Sequence, residues 1–338
     1  MRVTARVRVI VLNFNGGAMV QRAVASVLGA RWPNDALEVV LVDNASTDGS
    51  ADRVAAEFPG VRVIRSPRNG GFPANNLAMA DLADIDFVGL VNPDAFVDPD
   101  WLTPLVDALR EDARLGAASP LMLFAAPDHD GLEVVNNAGC ELLTNGYARD
   151  RGMGDLYVTG ALEATDVFAW SGGAVLLRRD YLDDVGLFDE RFFLYYEDID
   201  LSWRGRSRGW RYRFVPTSIV HHHHAATVGV GSKVHRYYSE RNRLLMLMKN
   251  APSAMVAREV VRFPLSTASY LWTEAIAPLS HRRRPRLDTV ALRIRAFCGA
   301  ARHAVYALRA RRRIAQRRTE DPQRLVAELV LERSRRRT

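Results

Sequence analysis

Cysteines and long apolar runs are both scarce in this chain of 338 residues. The two cysteines, Cys140 and Cys298, lie far apart and outside any metal-ligand spacing, which excludes a disulfide framework and a zinc site and fits a reducing compartment. The longest stretch of the second half without a charged residue or a histidine, residues 263–273, is far shorter than the roughly 20 residues of a membrane-spanning helix. The apolar run at residues 9–12 is too short for a signal peptide. Any membrane contact is therefore expected to be peripheral.

Excess basic charge is absent from most of the chain. The formal net charge is +7, but residues 281–338 hold 18 arginines against 5 acidic residues, which leaves a net charge of −6 for residues 1–280. A mildly acidic body does not suit a nucleic-acid groove, so no specific nucleic-acid partner is expected. The basic tail instead predicts a surface that meets phosphates, either of lipid head groups or, non-specifically, of nucleic acid.

The first half of the chain alternates short β-rich runs with segments of helical spacing. The β-rich runs are residues 7–12, 38–42, 61–64 and 87–91, and the helical segments are residues 18–28, 51–58, 73–82 and 99–110. This order is typical of a mostly parallel α/β sheet. Beyond it, residues 116–220 are less regular. We predict a Rossmann-like α/β catalytic domain over residues 1–225, with helices flanking the sheet, and an arginine-rich helical C-terminal region over residues 226–338.

Polar clusters follow three of the β-rich runs. They begin at Asn13, Asp43 and Asn92. Because ligands of open sheets bind at the carboxyl ends of strands, these clusters are expected to share one cleft. The Asp43 carboxylate can accept a hydrogen bond from a pyrimidine N–H, whereas Asp48 is better explained as a helix cap. Asp94, in Asn92-Pro93-Asp94, can hold Mg²⁺ or Mn²⁺, although this tripeptide is also an ordinary turn.

Two further clusters lie between residues 170 and 221. Glu197, Asp198 and Asp200 bunch at a predicted helix start, where the helix dipole alone favours acidic residues. Three carboxylates in four positions exceed what a cap requires, and one of them can act as a general base toward an acceptor hydroxyl. His221 ends a β-rich run and can complete a metal site or bind a phosphate, while His222 to His224 receive no assignment.

Together these segments resemble the family 2 glycosyltransferases, especially the rhamnosyltransferase-like branch. The segments that carry the resemblance, within about residues 7–250, are residues 9–16, 42–48, 69–72 with Asn76, 92–94, 171–173 and 197–201. The resemblance implies the GT-A fold and inverting transfer of a sugar from a nucleotide donor, usually with Mg²⁺ or Mn²⁺. One departure concerns the metal motif, since the usual Asp-x-Asp is Asn92-Pro93-Asp94 here and offers a single carboxylate.

The resemblance also implies a role for each matching residue. Asp198 would be the general base, and Asp94 and His221 would contact the metal. The nucleotide and its sugar would be bound near Leu12, Asn13, Asp43, Gly70, Gly71, Asn76 and Asn92. The acceptor side would comprise Trp170, Gly172, Gly173, Glu197 and Asp200.

These expectations define an enzyme working at the cytoplasmic face of a membrane. By resemblance, its donor is dTDP-rhamnose and its acceptor is a cell-envelope glycan or a polyprenyl-linked sugar. Transfer of galactofuranose or another UDP-hexose is the alternative, and a non-catalytic nucleotide-sugar-binding module is a different class. A nucleotidyltransferase is disfavoured because residues 13–17 contain no Lys or Arg for a phosphate loop.

The arginine-rich tail carries one apolar stripe. Its members are Val290, Ile294, Phe297, Ala301, Val305 and Leu308. A stripe flanked by arginines is typical of a helix that lies in a membrane interface. The same spacing also suits a helix that packs on the catalytic domain, with its arginines in solvent.

Overall fold

The computed structural model describes residues 4–128, 130–223, 231–280, 285 and 287–331. The strands are, in chain order, β1 (Val7–Asn13), β2 (Leu37–Asp43), β3 (Arg62–Arg65), β4 (Phe87–Val91), β5 (Ala95–Val97), β6 (Leu115–Phe124), β7 (Val135–Asn137), β8 (Cys140–Leu143), β9 (Ala148–Asp150), β10 (Thr165–Asp166), β11 (Ala174–Arg178), β12 (Arg211–His222) and β13 (Val330–Leu331).

The α-helices are α1 (Gly17–Leu28), α2 (Ser50–Glu57), α3 (Leu102–Glu111), α4 (Arg179–Val185), α5 (Glu197–Arg206), α6 (Lys233–Asn250), α7 (Ser253–Leu271), α8 (Ala277–Ser280), α9 (Asp288–Arg302), α10 (Ala304–Arg317) and α11 (Pro322–Leu329). Short 3-10 helices span Asn34–Ala36 and Phe72–Ala78, and a π-helical turn, Trp272–Ile276, joins α7 to α8. The predicted helix at residues 73–82 is therefore replaced by a shorter 3-10 helix.

One large mixed sheet organises the first part of the chain. Its order is β10-β12-β6-β11-β4-β1-β2-β3, with β5 paired to β12 and β7 paired to β6. β1 runs parallel to β2 and β4, β2 to β3, and β6 to β12, while β11 lies antiparallel between β4 and β6. All strands along this order except β10 and β11 therefore point the same way, which confirms the predicted mostly parallel α/β architecture.

Alternating side chains of the central strands build a core on each face of the sheet. Val9 and Val11 pack with α1 and α3 on one face, while Ile10 joins a second cluster with Phe72 and Tyr181 on the other. Because successive side chains of a strand point to opposite faces, a strand that is covered on both sides must be apolar throughout. Helices on both faces leave the carboxyl ends of the strands as the open edge of the sheet.

The C-terminal helices share a core with the α/β part. A third cluster combines Leu142 and Trp203 with Leu245 and Met246 of α6 and with Ala307 of α10. β13 pairs in parallel with β8, which pairs antiparallel with β9 in a small second sheet. The predicted boundary at residue 225 falls within residues 224–230, outside the described residues. Among the helices described, none combines the length and apolar character needed to cross a bilayer.

Candidate active site

A cavity of about 1040 Å³ lies between the carboxyl ends of the strands and the C-terminal helices. Strand ends contribute Leu12 and Asn92, and the following turn contributes Asp94. The opposite wall comes from α6, α7 and α9. The lining residues from these three helices are Val234, His235, Arg236, Ser239, Glu240, Tyr270, Thr289, Leu292 and Arg293. A volume of this size can hold a nucleotide sugar together with part of an acceptor.

Asp198 faces this cavity from the first turn of α5. Its Oδ2 accepts a hydrogen bond from the Gly172 N–H at 3.1 Å, and its Oδ1 accepts one from the Ile199 N–H at 2.7 Å. Loss of bulk water raises the pKa of Asp198 to about 6, against the opposing effect of these two hydrogen bonds. A carboxylate with this pKa, fixed in orientation and open to a cavity, suits a general base near neutral pH.

Glu197 lines the same cavity but differs in its hydrogen bonding. Its side chain is buried, and its Oε2 has no hydrogen-bond partner among the described residues. Burial, together with the neighbouring Asp198 carboxylate, raises the pKa of Glu197 well above its ordinary value. A buried carboxyl oxygen without a partner is costly unless a ligand satisfies it. Glu197 is therefore available to bind a hydroxyl group in the cavity.

Asp200 lies in a different environment, although it is only two residues away. It is fully buried and does not line the cavity. Asp200 Oδ2 accepts hydrogen bonds from Lys249 Nζ at 2.8 Å and from Arg204 Nε at 3.0 Å. Its Oδ1 accepts one from Asn250 Nδ2 at 2.8 Å. Asp200 thus joins α5 to α6 through a buried ion pair network rather than lying on the acceptor side, where it was predicted.

The end of β12 separates two histidines onto opposite sides of the strand. His222 is buried and its Nε2 lies 3.2 Å from Asp94 Oδ1, whereas the Nε2 of half-buried His221 lies 3.4 Å from Asp98 Oδ1. His222 lines the cavity and His221 does not. The structure therefore brings Asp94 together with His222 instead of the predicted His221. His224 lies outside the described residues.

The Asp94–His222 pair has the chemistry of half a metal site. His222 Nδ1 lies 2.9 Å from Asn136 Oδ1, which places the proton of a neutral imidazole on Nδ1 and directs the Nε2 lone pair toward Asp94. Two acceptors 3.2 Å apart are favourable with a cation or a proton between them. Among the described residues no group of three His, Cys, Asp or Glu is arranged to hold a metal. The pair fits two ligands of a divalent cation, and a bound diphosphate would have to supply the others.

Two residues predicted to bind the nucleotide instead hold the loops of the cleft. Asn13 is fully buried, and its Nδ2 donates to Ser46 Oγ at 3.1 Å and to Ser50 Oγ at 2.8 Å. Asp43 Oδ1 accepts from the Ser46 N–H at 3.2 Å, and its Oδ2 lies 3.4 Å from Arg65 Nη1. Neither side chain lines the cavity, whereas the predicted Leu12 and Asn92 do.

The loop around Gly70 and Gly71 is fixed by a neighbour that the sequence did not reveal. Asn44 Oδ1 accepts from the Gly70 N–H at 2.8 Å, and Asn44 Nδ2 donates to the Gly71 carbonyl at 3.1 Å. Gly71 has a φ of +69°, and a Cβ there would overlap the Phe193 carbonyl oxygen. Gly71 and Asn44 line the cavity, but Gly70 does not. The predicted Asn76 is also absent from the lining, because its side chain is bonded to the Phe188 backbone.

Only part of the segment from Trp170 to Gly173 lines the cavity. Trp170 is fully buried and packs edge-on against Phe188, with ring centroids 6.0 Å apart. Gly172 and Gly173 line the cavity. A Cβ on Gly172 would lie 2.7 Å from Phe72 Cζ, so only glycine fits where its N–H meets Asp198. Trp170 supports the site from the core rather than lining its acceptor side.

The turn that precedes α5 is strained and is held by α6. Phe193, Tyr195 and Tyr196 have φ angles of 66°, 67° and 70°, a region that bulky residues rarely occupy. Asn242, fully buried, donates from Nδ2 to the carbonyls of Phe192, Leu194 and Tyr195 at 2.8, 2.7 and 2.7 Å. This clamp, like the helical wall, was missed by sequence reasoning because neither has a local sequence signal.

Comparison with known proteins gives consistent results. A family model described as glycosyl transferase family 2 matches residues 8–128, and one described as glycosyl transferase family group 2 matches residues 89–274. The chain is 28% identical over 299 residues to N-acetylglucosaminyl-diphospho-decaprenol L-rhamnosyltransferase of Mycobacterium tuberculosis, covering 82% of this chain and 96% of that protein.

Two solved structures share the fold at lower sequence identity. The structure of GalNAc-T7 with UDP, GalNAc and Mn²⁺ has a TM-score of 0.60 and 16% identity, with 97% of this chain and 59% of that chain covered. The mannosyltransferase PcManGT from Pyrobaculum calidifontis, in complex with GDP-Man and Mn²⁺, has a TM-score of 0.53 and 19% identity, with 90% and 88% covered. The expected GT-A fold is confirmed by these neighbours.

Proposed function

Because the chain belongs to the family 2 glycosyltransferases, we propose that it transfers a sugar from a nucleotide donor to an acceptor hydroxyl with inversion, and that Asp198 is the general base. The observation that carries this proposal is the position of Asp198. Its carboxylate is fixed by the Gly172 N–H, has a pKa of about 6, and faces the same cavity as Asp94 and His222.

The chemistry follows from that position. The Asp198 carboxylate takes the proton of the acceptor hydroxyl while the hydroxyl oxygen attacks the anomeric carbon, and the nucleoside diphosphate departs from the opposite side. A single displacement of this kind needs no covalent intermediate and inverts the anomeric configuration. Glu197, with its unsatisfied Oε2, binds a second hydroxyl and thereby orients the attacking sugar.

Asp94 and His222 would hold the divalent cation, Mg²⁺ or Mn²⁺, together with the donor. Bound there, the cation would neutralise charge on the diphosphate. The orientation of His222 itself is set by the chain's own residues. Asn136 fixes the tautomer of His222 through the contact of its Oδ1 with His222 Nδ1 at 2.9 Å.

The donor in this proposal is dTDP-rhamnose, and the acceptor is a sugar on a polyprenyl diphosphate. Support comes from the mycobacterial rhamnosyltransferase, whose name gives both the transferred sugar and a diphospho-decaprenol acceptor, and which aligns over nearly its full length. A UDP-hexose, including UDP-galactofuranose, is the alternative donor. The place of action is the cytoplasmic face of the membrane, where nucleotide sugars and polyprenyl carriers meet, and the contact is peripheral.

A thermal-shift experiment tests the donor assignment. Purified protein is melted with dTDP-rhamnose, UDP-galactofuranose, UDP-glucose or GDP-mannose, each with and without Mn²⁺. A donor at 100 times its Kd stabilises the native state by about 2.7 kcal/mol, so dTDP-rhamnose with Mn²⁺ should give the largest rise in Tm.

The same experiment has clear contrary outcomes. A larger shift with a UDP-sugar would replace the donor, and an equal shift without Mn²⁺ would remove the cation from the proposal. Binding of a donor with no transfer to any polyprenyl-linked acceptor would favour a non-catalytic binding module. The Asp94→Asn variant serves as the control, because it should lose the part of the shift that depends on Mn²⁺.

A further inference from the structure

The helix formed by α7, the π-helical turn and α8 has one face in the protein and the opposite face in solvent. Its inward residues, such as Phe263 and Thr267, are buried against α6 and α9. Its outward residues are large and apolar. We call them the docking face: Val261, Leu265, Trp272, Ile276 and Leu279, which are 60%, 65%, 61%, 44% and 59% exposed. Exposed apolar side chains in one continuous patch mark a binding surface rather than an ordinary surface helix.

The charges beside the docking face are all of one sign. Along residues 253–279, every one of which the structure describes, the exposed charged side chains are Arg258 and Arg262. Glu259 is buried, lies 3.2 Å from Arg243, and is also 3.4 Å from Arg258 and 4.0 Å from Arg262, while Glu274 is partly buried. Along residues 253–279 the apolar face thus has exposed arginines and no exposed acidic side chain, which complements a surface that has an anionic layer above an apolar one.

Several arginines of the tail are engaged in contacts within the protein. Arg293 is buried, with Nη1 2.9 Å from Glu240 Oε1 and Nη2 2.7 Å from Ser266 Oγ. Arg311 Nη1 donates to the Ala251 carbonyl at 2.6 Å, and Arg317 Nη2 donates to the Asp184 carbonyl at 2.6 Å. These arginines attach α9 and α10 to the rest of the chain. Of the apolar stripe itself, Val290 is buried and Phe297 stacks on Phe263, whereas Ile294, Val305 and Leu308 are exposed.

The helix that carries the docking face also contributes to the wall of the cavity. Tyr270, on the same helix, lines the cavity, and its sequence neighbours Leu271 and Trp272 are exposed. Leu292 and Arg293 of α9, the helix that packs beside α7, line the cavity as well. If an acceptor bound with its sugar near Asp198, its apolar chain would extend out of the cavity alongside these helices.

We propose that the docking face, with Arg258 and Arg262 at its border, binds the surface of an anionic lipid bilayer, with the helix lying in the plane of the head groups. This arrangement keeps the mouth of the cavity at head-group level, where the diphosphate of a lipid-linked acceptor lies. The acceptor part rests on the proposed function, whereas the binding of lipid does not.

Vesicle co-sedimentation tests the proposal with the full chain. The vesicles contain phosphatidylcholine with phosphatidylglycerol, or phosphatidylcholine alone. Wild type should bind the anionic vesicles, and L265E/W272E should bind them about tenfold more weakly or worse. V305E/L308E is the matched control, because Val305 and Leu308 on α10 are similarly exposed at 64% and 55%, and it should bind like wild type.

Tryptophan fluorescence gives a second readout. Trp272 is 61% exposed, whereas Trp101, Trp170 and Trp203 are fully buried. Anionic vesicles should shift the emission of wild type to shorter wavelength. Trp272→Phe should keep vesicle binding but lose most of this shift. Circular dichroism of each variant confirms that it is folded.

Three results would overturn the proposal. Wild-type binding by L265E/W272E would exclude the docking face, and loss of binding by V305E/L308E alone would transfer the role to the stripe on α10. If wild type fails to bind vesicles and sediments as a dimer that L265E/W272E dissociates, the face contacts a second copy of the chain. The Asp198→Asn variant should bind vesicles like wild type, which separates a failure of docking from a failure of the proposed reaction.

Discussion

The two walls of the cavity are built in different ways. The strand-end wall takes Leu12 from the end of β1 and takes Asn92 and Asp94 from the turn after β4, whereas the helical wall takes its residues from α6, α7 and α9. In the first wall, position follows from the sheet, because parallel strands deliver their carboxyl ends to one edge. In the second wall, position follows from long-range packing, with Arg293 and Glu240 contacting across 53 residues of sequence.

This difference assigns the two walls different tasks. The strand-end wall holds the groups suited to the donor and its diphosphate, Asp94 and His222. The helical wall closes the other side with Tyr270 and Arg293, and its helix α7 also carries the surface proposed to meet lipid. Asp198 lies between the two walls, bonded to Gly172 on the sheet side and preceded by a turn that α6 clamps.

The first test removes the base and should have the largest effect. Asp198→Asn keeps the shape of the side chain but cannot take a proton, so turnover should fall by about a thousandfold with the donor Kd unchanged. Initial rates and donor titration by calorimetry measure the two quantities. Asp200→Asn is the comparison, because it should lower the Tm and leave the turnover of folded protein largely intact. Full turnover in Asp198→Asn would contradict the assignment.

A change in α6 tests whether the helical wall supports the strand-end wall. Asn242→Asp replaces the amide that donates to three carbonyls with oxygens that repel them, which should destabilise the fold by about 3 kcal/mol. Urea unfolding measures the free energy. Asn34→Asp, at an exposed position, should change it by less than about 0.5 kcal/mol. Equal effects of the two substitutions would refute the clamp.

The two neighbouring histidines test the strand-end wall directly. His222→Ala should raise the concentration of Mn²⁺ needed for half-maximal activity by about tenfold or more, because one ligand is lost. His221→Ala should leave it within about twofold, since that ring lies against Asp98. A metal titration of initial rates at saturating donor compares the variants. The reverse result would restore His221 as the ligand.

The pH profile gives the smallest effect and concerns Asp198 alone. Because its pKa is raised to about 6, the carboxyl is protonated below that pH and cannot act as a base. The value of kcat should fall about tenfold per pH unit below pH 6 and level off above it, until another group titrates. Rates from pH 5 to 8 measure this, with Tm followed in parallel to exclude unfolding. A profile that is flat down to pH 4.5 would place the catalytic pKa elsewhere.

Much of the fold was predictable from local sequence pattern. The β-rich runs at residues 7–12, 38–42, 61–64 and 87–91 agree with β1 to β4 within one or two residues. The strands β1, β2 and β4 are largely buried, which explains their apolar runs, whereas β3 is a partly exposed edge strand. The helix expected at residues 73–82 did not form in full. The side chains of Asn75 and Asn76 bond to the Phe72 and Phe188 carbonyls there, and only a 3-10 helix fits.

The positions of candidate site residues were predictable where they belong to a local motif. They were not predictable where the register of a strand decides which side chain faces the cavity. Leu12, Asn92, Asp94, Gly172 and Asp198 reach the cavity as expected. The choice between His221 and His222 depends on which face of β12 each occupies, and an irregularity between Val215 and Ile219 changes that parity. Pro216 lies within this irregularity and cannot donate a ladder hydrogen bond, but its presence alone does not give the register of the residues that follow.

The clamp at Asn242 also has a consequence for how the protein is made. Synthesis proceeds from the N-terminus, so the sheet, the metal pair and Asp198 all leave the ribosome before α6. Until residue 242 emerges and docks, the turn that precedes α5 lacks the hydrogen bonds that Asn242 donates to its carbonyls. The turn before Asp198 therefore gains this support only late in synthesis, when the C-terminal helices that carry the proposed lipid-binding surface begin to assemble on the sheet.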